Sequence, residues 1–237
     1  AVTNDTFTTV LALMDEYPDF CFSQSQASVY AIVEEHNPEL LARIADKVRE
    51  GRWEVTASHW VEGDKNMASG ESLCRHLLYA RNYMKQLFGL GPEDVQVDWS
   101  PDTFGHAATV PTYLVRGGVK YVYLHRPGLD TRDEDGNVPE CFWWEGPDGS
   151  RLLTMYEASG YGSRLQPPDD WPHKTWLALI HTGDNHGPPA PGTVQKLLDE
   201  ARKNLPGVDV RMGRLSDFGD AILAEKEGPE LPVIRAD

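Results

Sequence analysis

Two acidic residues stand just past apolar, strand-like runs and raise the first chemical question. Asp102 follows Val95 to Trp99 through Ser100-Pro101, and Asp184 follows Leu177 to His181 through Thr182-Gly183. A cleft bringing them together would suit a two-carboxylate hydrolase. One carboxylate would attack while the other, kept protonated by a less polar setting, donates to the leaving oxygen. Trp60, Trp99, Phe104 and Trp144 offer apolar faces for a sugar ring, although an indole also serves as plain core packing. Asp102 has a plain alternative too, as the N-cap of the segment behind it.

Other donors are scattered. His36, His76 and His173 fall in helical or polar stretches and read as surface residues. His59, His106, His125, His181 and His186 lie near strand ends, but none makes a His-x-His or His-x-x-x-His pair, so histidine spacing alone predicts no metal. Cys21, Cys74 and Cys141 are far apart and odd in number, which points to reduced, buried thiols and not to a disulfide framework. No basic region followed by an apolar core opens the sequence, and with reduced thiols the expected compartment is cytoplasmic.

The elements that must position these residues alternate. A helix runs from a cap at Asp5 to Tyr17, the strand Phe20-Cys21-Phe22 follows, and Ser28 to Glu35 is helical again. Asn37-Pro38 caps a helix with Leu40, Leu41, Ile44 and Val48 on one face and Gly51 at its end. Trp53 to Ala57 is the second strand. A long helix from Ser69 carries Leu73, Leu77, Met84 and Leu87 on one side and stops at Gly89. Val95 to Trp99, a short helix over 107–115 and Lys120 to Leu124 come next. Phe142 to Trp144 and Arg151 to Tyr156 flank Gly146-Pro147-Asp148-Gly149, a hairpin signal. Leu177 to His181, a helix over Thr193 to Asn204, Val208 to Met212, a helix from Ser216 and Pro232 to Arg235 complete the series. Strands separated by helices imply parallel pairing, and hence an α/β fold, open or barrel-like, with its site at the carboxyl ends of the strands. Polar residues cluster at those ends: Ser23 to Gln26, Ser58-His59-Trp60 with Asp64, Ser100 to Asp102, His125-Arg126, and Gly183 to His186.

The chain of 237 residues carries a formal charge of −15, which argues against nucleic acid and anionic membrane as partners, since phosphate binding relies on Lys and Arg. A neutral or cationic substrate is easier. No apolar run approaches the roughly 20 residues that cross a bilayer. The acidic stretch from Asp130 to Asn137 reads as a solvated loop.

Several runs occur in a fixed order: Phe22 to Gln26, Trp60-Val61-Glu62-Gly63-Asp64-Lys65-Asn66 leading to Ser69 to Leu73, Trp99-Ser100-Pro101-Asp102-Thr103-Phe104-Gly105-His106, and Phe142 to Ser150. Together, with a weaker likeness at Gly183-Asp184, this set closely resembles glycoside hydrolase family 38, the α-mannosidases. The resemblance implies a seven-stranded β/α barrel, a zinc cofactor, and a retaining mechanism through a covalent mannosyl-enzyme on a mannose-containing oligosaccharide. It makes Asp102 the nucleophile and a zinc ligand, Phe104 an aromatic under the sugar, and Asp184 the acid/base, while Trp60 and Asp64, from their place at a strand end, are the further substrate-binding candidates. Residues 1–237 are then expected to be a single domain, most of the catalytic barrel. The family's His-x-Asp ligand pair, at the end of its first strand, and a histidine from a downstream helical domain are not identifiable here. Oligomerisation is compatible with this reading. The alternatives are a metal-dependent polysaccharide deacetylase, which would need a His-x-x-x-His motif, and a non-catalytic carbohydrate-binding barrel.

Overall fold

The computed structural model describes residues 2–128, 138–157, 161, 164–180, 187–190, 192–226, 228 and 230–235. In chain order its elements are α1 (Val2–Glu16), β1 (Phe22–Gln24), α2 (Ala27–His36), α3 (Pro38–Arg49), β2 (Trp53–Val55), α4 (Gly70–Phe88), β3 (Val97–Ser100), α5 (Val110–Arg116), β4 (Tyr121–Leu124), β5 (Cys141–Glu145), β6 (Arg151–Tyr156), α6 (Thr193–Asn204), α7 (Leu215–Ala224) and β7 (Val233–Ile234). No described helix is long and apolar enough to cross a membrane.

Local chemistry sets the helix ends. Asn37 Oδ1 accepts the Leu40 N–H at 3.1 Å, with Pro38 in the first turn of α3. Ser69 Oγ accepts the Ser72 N–H at 3.2 Å to open α4, and Gly89, at φ +76°, closes it in the left-handed conformation that glycine adopts without strain. Leu73, Leu77, Ala80 and Met84 form the buried side of α4.

The strands form two sheets. One pairs β1 with β2; the other has the order β3-β4-β6-β5-β7. β3–β4, β4–β6 and β5–β7 are parallel, whereas β5–β6 is an antiparallel hairpin. The fold is mixed α/β with parallel pairing; among the described residues the seven strands lie in two sheets and show no closed barrel, where the expectation is a seven-stranded β/α barrel that can lack its first strand. Two runs with strand-like sequence make none. Residues 177–180 and 208–212 have no ladder, and the physical reason is visible in their burial: Ala178 is exposed and Val208 is 56% exposed, so neither run buries the faces that would hold it in a sheet. The hairpin also breaks the uniform parallel pattern, because the turn at Gly146 to Gly149 is too short for a crossover.

By contacts the chain divides into two compact units, one of residues 1–22, 33–54 and 161–229, the other of 23–32, 55–160 and 230–237. In the first, Trp53 meets Phe7 and Phe22 edge-on at 5.0 and 4.8 Å, and Glu54 accepts the N–H groups of Leu215 and Ser216 at the start of α7. The His173 side chain, expected at the surface, is 5% exposed there and pairs with Glu225 at 3.1 Å. In the second, Leu77 of α4 and Val110 and Leu114 of α5 share one buried core with Val122, Phe142, Trp144 and Leu152 of the five-stranded sheet. The thiols are free as expected, but only Cys141 is buried and Cys74 is exposed on the outer side of α4.

Candidate functional site

Strand register brings the central pair of residues together. Ser100 and Leu124 are partners at the ends of β3 and β4, so the chain leaves both strands side by side, and the Arg126 N–H donates to the Pro101 carbonyl at 3.1 Å. Arg126 Nε lies 2.9 Å from Asp102 Oδ1, with the two side chains 45% and 54% exposed. The guanidinium also covers the Phe104 ring, its Cζ 5.3 Å from the centroid, while Phe104 is 69% exposed. A carboxylate, a guanidinium and an open aromatic face therefore share one patch at the carboxyl end of a parallel pair, where α/β folds place their chemistry. The N-cap of α5 is Thr109, so Asp102 is not spent as a helix cap.

The segment after β2 supports this patch. Glu62 Oε1 accepts the Asp102 backbone N–H at 3.1 Å and the Thr103 hydroxyl at 3.5 Å. Burial raises the Glu62 carboxyl above its ordinary value, against the opposing pull of that N–H and of Lys65. Asp64 is occupied locally: Oδ1 accepts the Asn66 and Met67 N–H groups, both at 2.8 Å. Trp60 meets Tyr83 edge-on at 5.4 Å and lines a groove of about 720 Å³ with Arg75, His76, Tyr79 and Gln86 of α4; Asp102 and Phe104 do not line it.

Beneath lies a buried polar network. Asp98 on β3 is 1% exposed, and its carboxylate is paired with the Lys65 ammonium, which also donates to Ser100 Oγ at 2.5 Å. Ser58 Oγ donates to Asp98 Oδ1 at 2.6 Å, and His59 Nδ1 lies 2.9 Å from the same oxygen. Because a carboxylate only accepts, the His59 proton sits on Nδ1, leaving Nε2 to accept from the Tyr113 hydroxyl at 3.2 Å. Burial pushes the Asp98 carboxyl up, but Lys65 and His59 prevail and hold it well below the usual carboxylate range. Burial pushes His59 down despite Asp98, so its ring is neutral near pH 7. His106 Nε2 lies 3.0 Å from the Arg126 carbonyl, which places its proton on Nε2 and leaves Nδ1 a buried lone pair without a partner among the described residues. Burial, seconded by Lys65, pushes His106 down to about 4.

These motifs have known counterparts. The family model for the glycosyl hydrolases family 38 N-terminal domain matches residues 1–236. The chain belongs to glycosyl hydrolase family 38. It is 36% identical over 159 residues to alpha-mannosidase G of Dictyostelium discoideum, covering 67% of this chain and 14% of that protein. It is 30% identical over 215 residues to alpha-mannosidase 2C1 of Mus musculus, covering 90% of this chain and 18% of that one. The structure of an alpha-mannosidase from Enterococcus faecalis V583 superposes with a TM-score of 0.80 at 18% identity, over 99% of this chain and 28% of that one. The chain thus spans less than a quarter of the length of these curated relatives.

Of the site residues expected in this family 38 chain, the structure brings Asp102 and Phe104 together through Arg126, sets Asp64 in its own turn and turns Trp60 toward α4. Asp184 lies outside the described residues. Sequence reasoning gives no role to Glu62, Lys65 and Asp98, and names Arg126 only as part of a polar strand end. Arg126 is legible in principle, since it stands at a strand end beside His125; the role of Glu62 depends on a backbone contact 40 positions away, which no local signal announces. Among the described residues, no three His, Cys, Asp or Glu side chains converge to hold a metal ion. Asp102 offers one carboxylate, already paired with a guanidinium, and a tetrahedral zinc site takes three or four protein donors. The described residues by themselves do not fit a zinc ion.

Proposed function

We propose that the protein hydrolyses terminal α-D-mannosyl residues of mannose-containing oligosaccharides with retention of configuration, and that Asp102 is its nucleophile. The observation that carries this reading is the half-exposed Asp102 carboxylate at the carboxyl end of β3, oriented by Arg126 beside the open face of Phe104. The names of the family 38 relatives, alpha-mannosidases, supply the substrate class. In the first half-reaction an Asp102 oxygen forms a bond to the anomeric carbon as the glycosidic C–O bond breaks, and an acid delivers a proton to the departing oxygen. In the second, water deprotonated by the same group displaces Asp102. Asp184 is the group the family resemblance assigns to that acid/base role. Phe104 offers an apolar face to the ring, and the Arg126 pair fixes the rotamer of the attacking carboxylate, which favours a near-attack geometry. Zinc belongs to this proposal only with Asp102 as one ligand among donors other than those described.

Replacing Asp102 with Asn removes the attacking charge while keeping the side chain's shape. The expected outcome, read from initial rates on an aryl α-mannoside, is a loss of about 1,000-fold or more in kcat/KM. Near-normal turnover by the variant would transfer the nucleophile's role to another residue.

A further inference from the structure

The segment from Glu62 to Lys65 and the segment from Asp102 to Ala107 are joined at several independent points. Lys65 and His106 form a β-bridge, and the Ala107 N–H reaches the Lys65 carbonyl at 3.4 Å. The Lys65 side chain, 2% exposed, grips Asp98 and Ser100 on the strand that leads into Asp102. Gly105 passes so close that a Cβ there would stand 2.9 Å from Asn66 Cβ. Glu62 stands at the end of this seam, accepting from both Asp102 N–H and Thr103 Oγ1.

We infer that Glu62 is a positioning residue for Asp102, holding the backbone from which the attacking carboxylate projects. This inference rests on the reading of Asp102 as nucleophile. A half-buried carboxylate whose Oε1 takes a backbone N–H fixes where the Cα of Asp102 lies, while Arg126 fixes where its carboxylate points. Neither contact alone sets both. The role demands an acceptor oxygen and no proton, so a carboxamide, whose carbonyl also accepts though less strongly, can stand in for the carboxylate.

Two variants of the intact protein test this, with hydrogen exchange of the peptide containing Asp102 and Thr103 and with steady-state kinetics. In Glu62→Ala, exchange at the Asp102 amide is expected to quicken about tenfold or more. Its kcat is expected to fall about 10- to 100-fold, with KM changed little, because a misplaced nucleophile costs orientation and not binding. Glu62→Gln should stay within about threefold of the parent in exchange and in kcat. Unchanged exchange in Glu62→Ala overturns the contact; quickened exchange with kcat intact overturns the role. A kcat loss in Glu62→Gln as deep as in Glu62→Ala overturns it as well, since proton transfer and not hydrogen-bond acceptance would then be the function. Should Glu62→Ala fail to fold, Glu62→Asp takes its place in both measurements, since its shorter side chain draws the acceptor oxygen away from the Asp102 N–H. Hydrogen exchange needs no turnover, so it tests the Glu62 contact even if Asp102 proves not to be the nucleophile, a question that Asp102→Asn answers separately.

Discussion

Lys65 keeps its ammonium almost wholly out of water, and among the described residues the acid paired with it is Asp98, equally buried. Such a pair gains little over an apolar one when complete, but removing one partner strands the other. Lys65→Met is therefore expected to lower unfolding free energy by about 3–5 kcal/mol, measured by urea denaturation at pH 7. The same pair sets an acid limit. Asp98 holds its proton more weakly in the folded chain than the ordinary value near 3.9, so the unfolded chain takes up the proton first as pH falls. Its contribution is complete above about pH 4 and is lost as pH falls through the depressed folded value. His106 follows the same sign higher on the scale: folded at about 4 against about 6.5 unfolded, it withdraws stability as pH falls from about 6.5 to about 4. The urea midpoint should thus fall in two stages, and Lys65→Met should shrink the lower one most and trim the upper one, because Lys65 also helps to depress His106. His59, also pushed down by burial, adds to that upper stage, and a midpoint flat from pH 7 to pH 4 would show that neither histidine is held neutral.

At the scale of elements, the helices are legible in the sequence and the sheet only in part. α3, α4 and α6 emerge nearly to the residue because their signals are local: a capping Asn37, a capping Ser69, a closing Gly89, and apolar spacing on one face. The β5–β6 hairpin is announced by its Gly-Pro-Asp-Gly turn for the same reason. What fails is nonlocal. Residues 177–180 and 208–212 have strand-like composition, but whether they pair depends on partners far along the chain, and they find none among the described residues. The site divides the same way: Asp102 and Phe104 stand out by motif, whereas Glu62 and the Lys65–Asp98 pair depend on two loops folding against each other. Gly105 tests that seam as an element. A methyl group at this position meets Asn66 Cβ, next to backbone and unable to swing away, so Gly105→Ala must push the two loops apart. The expected cost is about 1–3 kcal/mol in thermal or urea unfolding. A variant as stable as the parent would mean that the loops separate freely and that the seam contributes little.

Across the whole chain, the charge of −15 acts on whatever approaches it. Its field adds at long range, and the guanidinium beside Asp102, that of Arg126, is already neutralised by that carboxylate. A neutral mannoside feels almost none of this field, whereas a sulfated or phosphorylated one is repelled before contact. Salt separates the two cases, because the screening length shortens from about 20 Å to about 4 Å as ionic strength rises from roughly 20 mM to 500 mM. The expected outcome is that KM for an anionic α-mannoside drops several-fold over that range, on the order of threefold to tenfold, while KM for its neutral counterpart moves by less than about twofold. Michaelis curves for the matched pair at both salt levels give the answer directly. An anionic substrate indifferent to salt would place its charged group against a local cation instead of the protein's overall field, and parallel shifts for both substrates would trace the effect to the protein's own conformation.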